Sequence, residues 1–420
     1  MNIAEKILAR ASGREEVKPG EIVQPKVDMA MVNEITGPLA IQAFKKIGVP
    51  KVWDNSRIVL IQDHQVPADT VKSAELHRIM RQFAEEQEIK FLYDVGLGGV
   101  CHQIMVEKGH ALPGDLIVGA DSHTCTYGAL GAFATGIGST EMAAVFAMGE
   151  IWLRVPSTIR INATGSFKKH VTPKDLILYV IGKIGAAGAT YKAVEFTGPT
   201  ISRISVSGRM TLCNMTVEMG AKTGLINPDE VTLDYVKNRA RRPFKPLKSD
   251  PDAEYEKTLE VDVDRLEPQI ACPHSVDNVK PVKSVEGIEI NQAFLGSCTN
   301  GRLEDLEAAA RILKGKRISR NVRMIVTPAS QEIYLQALKS GLLEIFVKAG
   351  ALVSNPTCGA CFGGHMGLLA PGEVCISSSN RNFVGRMGSP EAEIYLASPV
   401  TVAASALAGK IVDPIGYLEE

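Results

Sequence analysis

Short apolar runs that each end in a cluster of polar residues constrain this chain more than any other feature. Arg57-Ile58-Val59-Leu60-Ile61 delivers Gln62-Asp63-His64-Gln65 at its carboxyl end, and Leu116-Ile117-Val118-Gly119 delivers Ala120-Asp121-Ser122-His123-Thr124. Ala293-Phe294-Leu295 leads to Ser297, Cys298 and Asn300, then to a helical pattern from Leu303 to Leu313. Val322 to Val326 leads to Thr327-Pro328-Ala329-Ser330 and a further helix, Ala351-Leu352-Val353 to Cys358 and Cys361, and Val374-Cys375-Ile376 to Ser377 through Asn382. Strands alternating with helices predict α/β domains with mainly parallel sheets flanked by helices. Ligands of such sheets bind beyond the carboxyl ends of the strands, where all of these clusters fall.

A chain of 420 residues makes two or three domains, each able to bury a core. A boundary is expected near residue 156, after a helical stretch from Ala143 to Trp152. The segment from 240 to 280 is rich in Pro, Lys and Asp and reads as a linker, with a β-ribbon as the second reading. The expected domains are therefore 1–156, 157–279 and 280–420. Gly96-Leu97-Gly98-Gly99 and Gly136-Ile137-Gly138-Ser139 match no phosphate-loop pattern and read as turns and helix entries. No internal repeat is visible.

A formal net charge of −1 gives no electrostatic case for nucleic-acid or membrane binding. The one basic cluster, Lys237, Arg239, Arg241, Arg242, Lys245 and Lys248, reads as a solvated linker face. There is no apolar signal core and no long uninterrupted apolar run, which predicts a soluble, cytoplasmic chain. In that compartment the eight scattered cysteines are free thiols or ligands.

Three of them sit where a cofactor enzyme would place them: Cys298 in Gly296-Ser297-Cys298-Thr299-Asn300-Gly301-Arg302, and the pair in Asn355-Pro356-Thr357-Cys358-Gly359-Ala360-Cys361. Four thiolates would close a cubane cluster or a structural zinc site. Three can hold an iron–sulfur cluster with one iron open, a Lewis acid. A C-x-x-C pair alone is more often a redox pair or half a zinc site.

The polar set is Asp63, His64, His102, Asp121, His123, Glu218, Asn380, Arg381 and Arg386. Acidic partners would fix the tautomer and charge of the imidazoles, and the two arginines could clamp substrate carboxylates bidentately. With an open iron, the combination suits removal of water from a hydroxy-acid. Each residue alone has a plainer role, as a structural His–Asp pair or a turn at Asn380-Arg381-Asn382. Asp63 and His64 would point to opposite faces of a regular strand, so their pairing requires a strand end or turn.

Seven segments in order carry a family resemblance. They are Asp63-His64-Gln65-Val66-Pro67, Val100-Cys101-His102-Gln103, Ala120-Asp121-Ser122-His123-Thr124, Cys213-Asn214-Met215 with Glu218, Gly296-Ser297-Cys298-Thr299-Asn300, Cys358-Gly359-Ala360-Cys361, and Ser379-Asn380-Arg381-Asn382-Phe383 with Gly385-Arg386. From about residue 20 onward the chain resembles the large subunits of the 3-isopropylmalate dehydratase and homoaconitase group of the aconitase superfamily.

The resemblance implies three α/β domains around a [4Fe–4S] cluster held by Cys298, Cys358 and Cys361. It implies pairing of Asp63 with His64, His102 with Asp121 and His123 with Glu218, with His64 protonating the leaving hydroxyl. Asn380, Arg381 and Arg386 would bind substrate carboxylates. Single-chain relatives carry a swivelling fourth domain that supplies a serine base and a further arginine. This chain shows none before Glu420, which implies a separate small subunit, as heterodimer or heterotetramer, and inactivity without it.

The implied reaction is a hydro-lyase isomerisation of 3-isopropylmalate and 2-isopropylmalate in leucine biosynthesis, with conversion of homocitrate to homoisocitrate as the neighbouring alternative. A cluster-free RNA-binding protein and a zinc-stabilised scaffold are alternatives of other classes. Asn33 stands where many relatives carry a histidine, and no role is assigned to it.

Overall fold

A computed structural model describes residues 1–418; Glu419 and Glu420, the end of the expected third domain, lie outside the described residues. The chain divides into two compact units. The first takes Met1–Asp63, Pro67–Thr164 and Ala189–Val261, and the second takes His64–Val66, Gly165–Gly188 and the chain from Asp262 on. No described helix is long and apolar enough to cross a membrane.

The first unit is built on a five-stranded parallel sheet. Covering both faces of a sheet turns its strands into unbroken apolar runs. Accordingly Met29–Asn33 and Ile58–Ile61 are buried at every position. In space the strands run Phe91–Tyr93, Ile58–Ile61, Met29–Asn33, Leu116–Gly119, Phe133–Gly136, every neighbouring pair parallel. Numbered along the chain, that order is 3-2-1-4-5 and reverses between Met29–Asn33 and Leu116–Gly119. Right-handed crossovers leave such a pair toward opposite faces and open a crevice at the carboxyl ends. Asn33-Glu34 stand on one side of that crevice and Asp121-Ser122-His123 on the other. Below the sheet Phe44, Phe83 and Phe146 form a triad with ring centroids 5.7–6.2 Å apart. A second sheet in this unit orders Thr223–Ile226, Ala193–Thr197, Thr158–Thr164 and Lys257–Asp262.

The second unit carries a seven-stranded sheet. Its parallel part runs Leu352–Val353, Arg323–Val326, Gln292–Leu295, Val374–Ser377, Glu393–Ala397. Gln269–Ala271 and Val279–Pro281 extend it antiparallel, so the ribbon reading holds at the end of the 240–280 segment. Along the chain the parallel strands again follow 3-2-1-4-5, with the reversal between Gln292–Leu295 and Val374–Ser377. The residues show no repeat, yet one winding is used twice. Strand order is set by which apolar runs pair, and it leaves no fixed-period signature. The helix Pro173–Ile184 clusters with this unit, although the strands flanking it in sequence belong to the other.

Two expectations need correction. The helix expected over Ala143 to Trp152 is Ser139–Met148, ended by Gly149 at φ +71°, and Leu153–Arg154 is already a strand. The basic cluster is not uniformly solvated. Arg242 donates to both oxygens of Asp115, a carboxylate only 5% exposed, and Arg241 donates to the Lys108 carbonyl at 2.6 Å beneath the Phe91 ring. A buried carboxylate needs a partner with matching donors, and the linker supplies it.

Candidate active site

In the first unit the crevice gathers two histidine–carboxylate pairs. Asp121 caps the 3₁₀ segment Ser122–Leu130, accepting the His123 amide at Oδ1 (2.8 Å), while the same oxygen meets His102 Nε2 at 2.7 Å. His102 Nδ1 lies 3.0 Å from the Tyr127 hydroxyl. This geometry suits one tautomer: Nε2–H donates to the carboxylate and Nδ1 accepts from tyrosine. His123 Nε2 meets Glu218 Oε1 at 2.7 Å, and both side chains are buried.

Asp63 is fully buried just past the end of Ile58–Ile61, so the strand geometry that would separate it from His64 no longer applies. Its Oδ2 accepts the Cys101 amide at 2.7 Å, which fixes the start of the helix Cys101–Glu107 that carries His102. Its own amide donates to Glu34 Oε2 at 2.9 Å.

In the second unit the crevice gathers thiols. All eight cysteines are free, and Cys298, Cys358 and Cys361 are 8%, 9% and 5% exposed. Cys298 follows Gln292–Leu295 through Ser297, whose φ of +78° is rare for a residue with a Cβ. Strain of this kind persists only where the surroundings over-determine it. Here the Ser297 hydroxyl accepts the Thr299 amide at 3.1 Å, and Arg302 donates to the Cys298 carbonyl at 3.1 Å and to that of Thr299. Cys358 stands at the N-terminal cap of a 3₁₀ turn, Gly359–Phe362, and Cys361 lies within it. Gly359 takes φ +59°, and a Cβ there would press on the Phe294 ring at 3.2 Å.

Across the strand reversal, Asn380 Nδ2 donates to Cys298 Sγ at 3.2 Å, and Arg386 Nη2 approaches Cys361 Sγ at 3.8 Å. Buried Arg386 Nε has no partner among the described residues. Arg381 is half-buried beside Asn380. His64 stands with this unit: its carbonyl accepts from Thr357 Oγ1 at 2.9 Å, its ring meets Phe362 edge-on at 4.9 Å, and a ring nitrogen lies within 4.8 Å of Cys358 Sγ.

This donor set fits a three-thiolate cluster. The thiols are buried and free of disulfides, and N–H donors of the kind that stabilise cluster sulfurs reach Cys298 and Cys361. Elsewhere burial pushes the Cys125 and Cys375 thiols up to about 12 and Cys213 well above its ordinary value, so those thiols stay protonated.

Reading residues alone missed Glu34, Tyr127 and Lys174. Glu34 follows Asn33 directly at a strand end, the signal that singled out Asp63 and Asp121, and could have been found that way. Asn33 Oδ1 accepts the Ile35 and Thr36 amides at 3.0 and 3.2 Å, while its buried Nδ2 has no partner among the described residues. Tyr127 and Lys174 carried no such signal.

Against known proteins, the model of the aconitase family (aconitate hydratase) matches residues 5–288 and 281–409. The chain is 59% identical over 414 residues to the probable 3-isopropylmalate dehydratase large subunit of Methanothermobacter thermautotrophicus, covering 99% of each. It is 55% identical over 418 residues to the probable methanogen homoaconitase large subunit of the same organism, covering 99% of this chain and 97% of that one. Among solved structures, Thermococcus kodakaraensis aconitase X in its holo-form is similar with a TM-score of 0.52 at 12% identity, over 88% of this chain and 89% of that one.

Proposed function

Because the chain belongs to the aconitase family, we propose that it is the large subunit of a hydro-lyase that interconverts 3-isopropylmalate and 2-isopropylmalate by dehydration and rehydration, in leucine biosynthesis. A [4Fe–4S] cluster on Cys298, Cys358 and Cys361 is part of this reading, as is a separate small subunit. The relatives' naming as large subunits supports the second. The observation that carries the reading is the thiol group itself: three buried, disulfide-free cysteines past the ends of parallel strands, with an asparagine amide on one sulfur.

When bound, the cluster would supply an open iron as a Lewis acid for the departing hydroxyl. The chain's own residues do the rest. Arg381 and Arg386 offer planar donors to substrate carboxylates, and the Arg386 Nε, without a partner among the described residues, is left for a ligand atom. His64 donates the proton that turns the leaving hydroxyl into water, and on rehydration it takes that proton back. Asp121 and Glu218 orient His102 and His123 through contacts to their Nε2 atoms. The proton alpha to the carboxylate goes to a base of the small subunit.

Anaerobic reconstitution with iron and sulfide, followed by iron counting and EPR, tests the cluster. About four irons per chain, and a [3Fe–4S] signal after mild oxidation, are expected. Cys298→Ser should abolish assembly while the circular dichroism of the chain is retained; normal turnover in that variant would refute the ligand assignment. The relative named as a homoaconitase supports homocitrate conversion as a second reading. Pairing the chain with candidate small subunits and assaying both hydroxy-acids separates the two.

A further inference from the structure

Lys174 is the second residue of the helix Pro173–Ile184 and is 0% exposed. A lysine is disfavoured there twice. Burial strips its ammonium of water, and the positive end of the helix dipole repels it. Among the described residues no carboxylate lies within 4.0 Å of its Nζ. Instead Nζ donates to the carbonyls of Ser378 (2.8 Å) and Ser379 (2.5 Å). Those carbonyls belong to the turn after Val374–Ser377, on the far side of the strand reversal from Cys298. The next residue, Asn380, reaches both Cys298 Sγ (3.2 Å) and Thr299 Oγ1 (3.0 Å).

We propose that Lys174 is the positioning cation of the thiol group: its ammonium clamps the Ser378–Ser379 backbone that aims Asn380 at Cys298, and it places a fixed positive charge behind the thiolates. The inference rests on the cluster reading and deepens it. A three-thiolate cluster carries net negative charge in a buried site, and its potential follows the charges and hydrogen bonds around its sulfurs. Burial pulls the Lys174 ammonium down to about 7, and Cys361, Asp305, Cys298 and Asp175 pull it back. Thiolates held deprotonated by iron would therefore be what keeps the lysine charged. Arg302, 2% exposed and bonded to the Cys298 and Thr299 carbonyls, braces the Cys298 loop across the strand reversal.

The test compares Lys174→Gln, which keeps an N–H donor and drops the charge, with Lys174→Met, which drops both. Each full-length chain is reconstituted anaerobically and treated with ferricyanide. The cluster then changes as [4Fe–4S]²⁺ → [3Fe–4S]⁺ + Fe²⁺ + e⁻, with ferricyanide taking the electron. A nearby cation disfavours loss of that electron, so both variants should convert faster than the parent, on the order of tenfold for loss of one buried charge. A merely structural lysine predicts the opposite split, with Gln at the parent rate and only Met faster, and that result overturns the proposal.

If the parent takes up no four-iron cluster, the cluster reading has failed separately. Amide exchange over residues 378–382 of the metal-free chains then tests the clamp: it should be faster in Lys174→Met than in the parent, and unchanged exchange would overturn the proposal.

Discussion

Asp121 makes two bonds with one oxygen, and removing it tests whether the first-unit crevice is held as described. In Asp121→Ala the cap on Ser122–Leu130 is lost, worth about 1 kcal/mol. The bond to His102 Nε2 at 2.7 Å is lost as well; His102 is 2% exposed, and a hydrogen bond to a charged acceptor contributes about 1.5–3 kcal/mol. Both bonds exist only while the segment is folded, so their sum, about 2.5–4 kcal/mol, comes off its opening free energy. Where opening is a pre-equilibrium, amide exchange over Ser122–Leu130 should accelerate roughly 10²- to 10³-fold, read by mass spectrometry. Asp121→Asn keeps a neutral acceptor at both bonds and loses about 1 kcal/mol, roughly a fivefold acceleration. Parent-like exchange in the alanine variant, or equal loosening in both, would refute the reasoning.

Burial raises Asp175 to about 6 against its three hydrogen-bond donors, so the folded chain keeps that proton where the unfolded chain releases it near 4. This stability contribution is complete below about 4 and lost as pH rises through about 6. Asp175→Asn should therefore gain stability relative to the parent across that window in urea titrations, and a flat difference would contradict the burial argument. Gly128→Ala would set a Cβ 1.6 Å from the Gly224 carbonyl oxygen and should destabilise by about 3 kcal/mol, seen as a lowered melting temperature, whereas Gly416→Ala, with nothing within 4 Å, should melt like the parent. Arg381→Lys exchanges a planar fork for a point charge and should lower kcat/KM by roughly ten- to a hundredfold in the assembled enzyme; unchanged kinetics would remove Arg381 from the carboxylate clamp.

The strands and their polar ends were legible because a parallel sheet buried on both faces writes itself as unbroken apolar runs. Ile58–Ile61, Leu116–Gly119 and Val374–Ser377 each begin or end within one residue of the expected position. Even Leu303–Leu313 matches at both ends, fixed by Asp305, whose carboxylate accepts the Arg302 amide at 3.1 Å. Groups that work through burial were not legible. Pro173-Lys174-Asp175 reads as an ordinary helix start, where a lysine would be solvated, and only packing removes its water. Tyr127 lies three residues beyond the Asp121–Thr124 cluster with nothing in its spacing to tie it to His102, and its hydroxyl meets His102 only because Ser122–Leu130 turns as a 3₁₀ helix. Arg242 looked like one more linker charge, since nothing in its surroundings in sequence points to Asp115, 127 residues earlier.

His64–Val66 joins the second unit although the chain on both sides of it belongs to the first. Its anchors are Thr357, 293 residues downstream of His64, and Asn355, whose amide holds the Val66 carbonyl at 2.7 Å. During synthesis at about 5–20 residues per second, that stretch of chain takes roughly 15–60 s to emerge. Until then the segment has neither of these partners. The ribosome thus sets a delay between the birth of the acid and its seating. Because Cys358 and Cys361 emerge in the same interval, the nascent chain cannot hold a complete thiol trio before that segment's anchors are also present.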